Sequence, residues 1–246
     1  VPEVEFDNVW FRYPGTDKFI LKGLSFRLSA GTSTSLVGEN GSGKSTSVKL
    51  LLRLYRPTSG RILLNGKDIW EYREEDYYKT VGAVFQDFAR YELPFDENIA
   101  LCLNPDLTSV KETSFYKSTV AAAGSEKAFI GKRLQGGKDL SGGEWQKLAI
   151  LRLLYRSPSM MILDEPTASL DARAENEIYS AFEKLVKEKT ALFISHRMAL
   201  SRIADNVLVL VDGKVAESGK HDLLIKKEGY YARLFEKQAE WYRDNL

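Results

Sequence analysis

The residues best able to do chemistry in this chain are the octet Gly38–Ser45, which reads Gly-Glu-Asn-Gly-Ser-Gly-Lys-Ser. Its spacing fits G-x-x-x-x-G-K-[ST], in which a glycine-rich turn directs successive backbone N–H groups at one phosphate. A short strand, Ser35–Val37, precedes the octet, and a helix predicted from Thr46 to Leu54 would add a favourable dipole. We predict a phosphate-binding loop in which Lys44 reaches the β- and γ-phosphates and the Ser45 hydroxyl ligates Mg²⁺.

Two adjacent carboxylates, Asp164 and Glu165, directly follow the apolar run Met160–Leu163. Four apolar residues in a row predict a buried strand, and parallel sheets bind ligands at the carboxyl ends of their strands. We therefore expect Asp164 to hold Mg²⁺, directly or through water, and Glu165 to polarise an attacking water molecule. Taken alone, the pair could equally be two acids that begin a loop.

A third motif, Leu140–Glu144, reads Leu-Ser-Gly-Gly-Glu. Ser141 is a good N-cap for a helix predicted from Gly142 to Arg156, and Pro158 would stop that helix. The first turn of such a helix exposes N–H groups, so it could form a second anion site. An ordinary glycine-rich helix start is the alternative.

The overall composition narrows the possible classes of function. The 246 residues include 43% apolar residues, enough for a sizeable core, and carry a formal net charge of only +1. Nucleic-acid-binding domains are usually more basic, so we expect no nucleic-acid partner. The one cysteine, Cys102, cannot form an internal disulfide, and no apolar stretch is long enough to span a bilayer. The start at Val1 without methionine suggests a fragment of a longer protein.

Along the chain, strands alternate with helices, which is typical of an α/β fold with a mainly parallel sheet. The region from about Phe88 to Ser157 is mostly helical, and we interpret it as an insertion within one domain. The other predicted strands are Val4–Tyr13, Leu24–Leu28, Arg61–Leu64, Lys67–Ile69, Val81–Phe85, Ala191–Ser195, Val207–Val211 and Lys214–Glu217. The other predicted helices are Glu74–Lys79, Asp96–Leu103, Val110–Ala123, Arg173–Glu188, Met198–Ile203 and Tyr230–Tyr242.

Together, in order and over essentially the whole chain, these motifs resemble the ATP-binding cassette ATPases, the nucleotide-binding domains of ABC transporters. The five residues Leu140–Glu144 differ from that family's LSGGQ signature only at Glu144. The resemblance implies one P-loop NTPase domain over residues 1–246, with an N-terminal antiparallel subdomain and a helical subdomain (approximately 88–157) that carries the signature. It implies ATP and Mg²⁺ as cofactors. The implied nucleotide-binding residues of the loop and signature are Gly38, Glu39, Asn40, Gly41, Ser42, Gly43, Lys44, Ser45, Thr46, Ser141, Gly142, Gly143 and Glu144.

The resemblance assigns roles to four further residues. Tyr13 matches the aromatic residue that stacks on adenine, and Gln86 matches the glutamine that touches Mg²⁺ or the attacking water. His196 matches the histidine that contacts the γ-phosphate. Asp171, in Ala168–Asp171, matches the loop that crosses to the opposite subunit. Without the resemblance, each would be read as an ordinary surface, capping or structural residue.

The family's geometry further implies a head-to-tail dimer with a second nucleotide-binding domain, in which two Mg-ATP molecules are held between the loop of one subunit and the signature of the other. Because the catalytic positions are all present, we expect a competent ATPase. A soluble ABC-class ATPase not coupled to transport, such as those of DNA repair, is one alternative, although the coiled-coil insertion of those proteins is absent. A non-hydrolysing nucleotide-dependent regulator is the other alternative.

Several stretches resemble the exporter branch of the family, namely Pro2–Phe6, Glu97–Ile99 and Gly229–Phe235. This implies a transmembrane domain as partner, encoded in the same parent polypeptide, and a location on the cytoplasmic face of the membrane. The stretch Leu134–Asp139 lacks the glutamate of many exporters, and with Trp145 it looks more like peptide or bacteriocin exporters. The cargo is not predicted by these residues.

Overall fold

The computed structural model describes residues 1–132, 136–165, 186, 189–195 and 199–244. Three predictions lie outside the described residues: His196, the loop Ala168–Asp171, and the helix Arg173–Glu188 apart from Val186. Leu134 and Gln135, from the stretch before the signature, lie outside them as well. By its internal contacts the chain divides into two units. Of the described residues, the first unit comprises Val1–Val81, Ser159–Glu165 and those after 185, and the second comprises those within Gly82–Pro158.

The bounds of the described elements are as follows. The strands are β1 (Val4–Phe11), β2 (Leu21–Leu28), β3 (Ser33–Val37), β4 (Ser59–Leu64), β5 (Lys67–Asp68), β6 (Val81–Val84), β7 (Met160–Asp164), β8 (Thr190–Ile194), β9 (Asn206–Val211) and β10 (Lys214–Gly219). The helices are α1 (Lys44–Leu51), α2 (Glu74–Thr80), α3 (Phe95–Ala100), α4 (Thr108–Lys111), α5 (Ser114–Ala123), α6 (Gly142–Arg156), α7 (Ala199–Ile203), α8 (His221–Lys226) and α9 (Tyr230–Asp244). None of these helices combines the length and apolar character needed to cross a bilayer.

The first unit contains two sheets. One is antiparallel, with the order β2-β1-β4-β5. Its β4–β5 hairpin turns at Asn65 and Gly66, which both have positive φ angles (51° and 76°), as the Asn-Gly pair predicts for a tight hairpin. In the other sheet the strands of this unit have the order β10-β9-β3-β8-β7, and β3 runs parallel to both of its neighbours.

The register of the parallel strands brings two sequence motifs to one edge of this sheet. Ile194 of β8 pairs with Leu36 of β3 on one side and with Asp164 of β7 on the other. Asp164 therefore lies level with Leu36, two residues before the phosphate-binding loop begins at Gly38. All residues of β3, β7 and β8 are buried, which explains the nearly continuous apolar sequences of β7 and β8, whereas β3 begins with the buried polar residues Ser33, Thr34 and Ser35.

The described part of the second unit is mainly helical, and the longest helix described there, α6, packs against α3 and α5. The prediction of a single helix Val110–Ala123 was wrong. The chain forms α4 and α5 instead, because the side chain of Thr113 accepts a hydrogen bond from the Tyr116 N–H (3.2 Å) and caps a new helix. The predicted helix Asp96–Leu103 ends early, at Ala100, because Leu101 adopts the left-handed conformation with φ 55°.

Candidate functional site

The phosphate-binding loop packs so closely that two of its positions exclude a side chain. Gly38 has φ 153°, and a Cβ there would lie 2.3 Å from the Leu210 carbonyl oxygen. Gly43 has φ 108° and precedes α1, and a Cβ there would lie 2.6 Å from Cδ2 of Leu21. The helix after the loop begins at Lys44 rather than at Thr46 as predicted. Its first turn therefore lies within the motif, which brings the free N–H groups of that turn to the loop.

Lys44 is enclosed by the loop and lies near the carboxylates of Asp164 and Glu165. Its side chain is buried, with 5% of its surface exposed, and its Nζ donates hydrogen bonds to the carbonyl oxygens of Gly38 (2.8 Å) and Glu39 (3.0 Å). Burial lowers the pKa of Lys44, whereas the nearby carboxylates of Glu165 and Asp164 raise it. Since phosphate oxygens are stronger acceptors for an ammonium group than neutral carbonyls, this position suits a bound phosphate.

Asp164 and Glu165 occupy the carboxyl end of β7. Asp164 is only 9% exposed, and burial, followed by the charge of Glu165, raises its pKa to about 6, although Lys44 and Lys49 act in the opposite direction. Glu165 has a left-handed backbone (φ 50°), and its N–H donates to the Ile194 carbonyl oxygen at 2.7 Å. Strained backbone of this kind is concentrated at functional sites. A cation placed here would relieve the repulsion between the two carboxylates.

Tyr13 lies in the same unit as the loop and is bonded to it. Its hydroxyl is 3.2 Å from Oγ1 of Thr46 in the first turn of α1. Its ring meets Tyr55 edge-on, with centroids 5.3 Å apart. A pocket of about 640 Å³ opens beside the ring, lined in part by Tyr55 and Arg56. The pocket is large enough for a planar base, and aromatic rings stack on any base.

The residues present fit a nucleotide and a magnesium ion. At Gly41 the main chain of the loop is exposed and a Cβ would meet nothing within 4 Å, and Oγ of Ser42 is buried without a hydrogen-bond partner among the described residues. Mg²⁺ usually binds through one or two protein oxygens plus substrate phosphates. Asp164 and the exposed Ser45 hydroxyl could supply those oxygens. In the described ranges no three His, Cys, Asp or Glu side chains converge on an alternative metal site.

The signature residues form the start of α6 in the second unit. Ser141 caps the helix by accepting a hydrogen bond from the Glu144 N–H (3.3 Å), while the Glu144 carboxylate accepts one from the Ser141 N–H (2.6 Å). This reciprocal capping box confirms the predicted helix start, and the helix runs from Gly142 to Arg156 as predicted. Gly142 and Gly143 leave the first two positions of the helix without side chains.

Comparisons with known proteins decide the family. A model of the ABC transporter family matches residues 21–168, more than half of the chain. The chain belongs to the ABC transporter family. The fold, family and enzyme class predicted from the sequence are thereby confirmed: this is an ABC-type ATPase domain.

Individual relatives of this ABC domain are transport proteins of greater length. It is 37% identical to the nisin transport ATP-binding protein NisT of Lactococcus lactis, an alignment that covers 98% of this chain and 41% of NisT. It is 38% identical to the ATM1-type heavy metal exporter of Novosphingobium aromaticivorans, over 97% of this chain and 39% of the exporter. The solved structure of a bacterial Atm1-family ABC exporter with ATP bound matches with a TM-score of 0.87 at 34% identity, over 97% of this chain and 42% of that one. The ABC domain thus spans about two fifths of the length of these relatives.

The structure brings some of the predicted site residues of the ABC domain together. Tyr13, the octet 38–45, Thr46 and the acids 164–165 all lie in the first unit. Gln86 and the signature residues lie in the second unit, where Gln86 is exposed. The roles proposed for His196 and Asp171 stay predictions, because both lie outside the described residues.

Sequence reasoning missed some residues around the nucleotide site of the ABC domain. The Nζ of Lys49 lies 5.6 Å from the centre of the Tyr13 ring and also lowers the pKa of Asp164. Tyr55 and Arg56 line the pocket beside Tyr13. Of these three residues, only Lys49 could have been found from the sequence, because it is a second cation on the helix that follows the loop. The other two residues reach the pocket through tertiary packing.

Proposed function

We propose that this domain is the ATP-hydrolysing motor of an ABC exporter, working as a head-to-tail dimer at the cytoplasmic face of a membrane. The observation that carries the proposal is the convergence of Lys44, Asp164 and Glu165 at the end of the parallel sheet. The exporter assignment rests on the transport and export proteins among the relatives, and on their greater length, which leaves room for a transmembrane domain.

Each site residue of the first unit has a distinct part in the proposed reaction. The loop N–H groups and Lys44 bind and orient the phosphates, while the Tyr13 ring supports the adenine. Asp164, in its ionised form, and the Ser45 hydroxyl would hold Mg²⁺, which when bound neutralises phosphate charge. The Glu165 carboxylate orients a water molecule and accepts a hydrogen bond from it, so that its oxygen is directed at the γ-phosphate.

The remaining roles depend on the proposed dimer. The loop holds the phosphates from one face only, so donors on the opposite face would come from the N–H groups and Ser141 of a second domain's signature. Gln86, His196 and Asp171 keep the roles that the family resemblance gives them: contact with metal or water, contact with the γ-phosphate, and contact with the opposite subunit. Membership of a peptide or bacteriocin subgroup is proposed from the residues before the signature and from Trp145.

Calorimetry with the mutant Lys44→Ala tests the phosphate-binding loop. Titration of MgATP into the wild-type chain should release heat, whereas Lys44→Ala should lose at least about tenfold in affinity, because charge-assisted hydrogen bonds contribute about 1.5–3 kcal/mol. Lys79→Ala removes an exposed lysine of α2 and serves as the matched control. No heat from well-folded wild-type protein would refute the proposal, and binding without any phosphate release would favour a non-hydrolysing regulator.

A further inference from the structure

The helix that begins with the signature, α6, also contacts the chain on both sides of Gln86. Before Gln86, Gly82 of β6 packs so closely on α6 that a Cβ there would lie 2.6 Å from Cδ1 of Leu153. After Gln86, the neighbouring residue of the helix, Arg152, donates a hydrogen bond from Nη1 to the carbonyl oxygen of Ala89 at 2.5 Å. Within the second unit, α6 therefore holds the chain four residues before Gln86 and three residues after it.

Arg152 also binds α3, through Asn98. Nε of Arg152 donates a hydrogen bond to the Asn98 carbonyl oxygen at 2.9 Å, and Nη2 donates one to Oδ1 of the same residue. Asn98 is fully buried, and its Nδ2 donates a hydrogen bond to the carbonyl oxygen of Tyr91 at 2.5 Å. The centre of the Tyr91 ring lies 4.8 Å from the guanidinium carbon of Arg152. One guanidinium group thus joins α6, α3 and the residues after Gln86.

The residues that follow Gln86 depend on these side-chain bonds for their position. Residues 87–91 belong to no helix or strand, and within the described part of the chain they form no hydrogen bond between backbone groups. The carbonyl oxygens of Ala89 and Tyr91 are bonded instead by the side chains of Arg152 and Asn98. Loss of the guanidinium group would therefore loosen the chain directly after Gln86.

Arg152 carries its charge in a partly buried position without a carboxylate partner among the described residues. Burial lowers the pKa of Arg152 to about 10, although Tyr91 acts in the opposite direction. Buried charges are usually paired, and an apolar side chain of similar volume often stabilises a fold as well or better. The planar guanidinium, however, presents its donors in a fixed geometry and can hold two segments of chain at once. These features favour a positioning role over a contribution to stability alone.

We propose that Arg152 is a positioning residue for Gln86 and fixes the place from which this glutamine acts in ATP hydrolysis. The proposal rests on the proposed function, in which Gln86 contacts the metal or the attacking water. Because a displacement of about 1 Å can lower a rate on the order of 100-fold, Arg152 can affect turnover without touching the nucleotide. The phosphate-binding loop and Asp164 belong to the first unit, so removal of Arg152 should leave nucleotide binding nearly unchanged.

Phosphate release and calorimetry together test this role. Arg152→Met keeps an unbranched apolar stem but removes the charge and the donors. We expect its turnover at saturating MgATP to fall at least about tenfold, while its affinity for MgADP stays within about twofold of the wild type. Arg90→Met removes an exposed arginine from the same segment and should keep wild-type turnover. Gln86→Ala should lower turnover at least as much as Arg152→Met, and the double variant should be no slower than Gln86→Ala.

Trypsin cleavage gives a second measurement, which does not depend on activity. Arg90 is exposed within the segment that Arg152 holds, so cleavage after Arg90 reports how often this segment opens. In nucleotide-free protein this cleavage should be several-fold faster in Arg152→Met than in the wild type. Cleavage after Lys18, in an exposed loop of the first unit, should not change and serves as the reference in the same digest.

The outcomes separate the positioning role from simpler explanations. Wild-type turnover or unchanged cleavage after Arg90 in Arg152→Met would overturn it. A double variant slower than Gln86→Ala by the full factor of Arg152→Met would also overturn it, since Arg152 would then act independently of Gln86. If Arg152→Met does not fold, Arg152→Lys keeps the charge without the planar donors and is held to the same criteria. A wild-type chain that binds MgADP but releases no phosphate from ATP would overturn the proposed function, and this role with it.

Discussion

Burial of the Asp164 carboxylate lowers the stability of the folded protein at neutral pH but suits the proposed role of this residue in binding Mg²⁺. The effect on stability can be measured. The pKa of Asp164, about 6, lies above the ordinary 3.8, so between these values the folded protein binds more protons than the unfolded chain. The free energy of unfolding should therefore fall as the pH rises through this window, by on the order of 2–3 kcal/mol. The burial that causes this loss also keeps water away from a carboxylate that would hold Mg²⁺.

The substitution Asp164→Asn should remove that pH-dependent loss. We expect the variant to be more stable than the wild type at pH 8 and to lose this advantage below about pH 4, where the wild-type carboxyl is protonated. Urea denaturation at several pH values measures the difference. Asp17→Asn, at a fully exposed position, is the control. A stability difference that does not change with pH would contradict the raised pKa of Asp164.

Tyr13 acts through both its ring and its hydroxyl, and two substitutions separate them. Tyr13→Ala should weaken ATP and ADP binding to a similar extent, by about 1–3 kcal/mol, because stacking acts on the base and not on the terminal phosphate. Tyr13→Phe keeps the ring, loses the bond to Thr46, and should retain most of the affinity. Calorimetry with both nucleotides measures this. A large change in the preference for ATP over ADP would mean that Tyr13 does not support the base.

At the scale of elements, the signature motif is first of all a helix start. Ser141 and Glu144 satisfy each other's backbone N–H groups, so the two side chains stabilise α6 whether or not a nucleotide is bound. Glu144 stands where the family consensus has glutamine, and either residue can complete a capping box. The departure from the consensus therefore preserves the local structure.

Ser141→Ala should destabilise the chain by about 1 kcal/mol, because the Glu144 N–H loses its acceptor. For a protein of this size the midpoint of thermal unfolding should fall by about 2–4 °C. Glu144→Gln should leave it nearly unchanged, since the amide oxygen can still accept from Ser141. Scanning calorimetry compares the three proteins. A loss in Glu144→Gln as large as that in Ser141→Ala would contradict this, because it would show that the charge of Glu144 stabilises α6 in addition to the capping box.

Local signals predicted the elements well where they were strong. Ser141 marked the start of α6, Asn65-Gly66 marked a hairpin, and the octet 38–45 marked the loop. The prediction of one helix over Val110–Ala123 was wrong because the apolar spacing continues through Thr113 without a break. Whether Thr113 caps a new helix depends on the orientation of its side chain, which the spacing does not show. The hydrogen bond between Tyr13 and Thr46 was beyond prediction, since it joins residues that are distant in sequence.

At the scale of the whole molecule, Glu165→Gln tests the proposed dimer. The variant should bind MgATP with nearly wild-type affinity, while phosphate release falls at least about 100-fold because water activation is lost. Since the ATP molecules that join the subunits then persist, we expect light scattering after size-exclusion chromatography to show twice the monomer mass with ATP. The double variant Lys44→Ala, Glu165→Gln should stay monomeric. A single variant that remains monomeric with ATP would count against the dimer.

The central position of β3 also has a consequence for synthesis on the ribosome. Ser35 is paired with Phe193, and its other neighbour, Val207, is translated later still. At about 5–20 residues per second, the roughly 160 residues between Ser35 and Phe193 take on the order of 8–30 s to translate. During that interval Leu36 and Val37, which are buried in the finished protein, have no strand to cover them. A nascent chain of this kind should depend on chaperones until its last third has emerged.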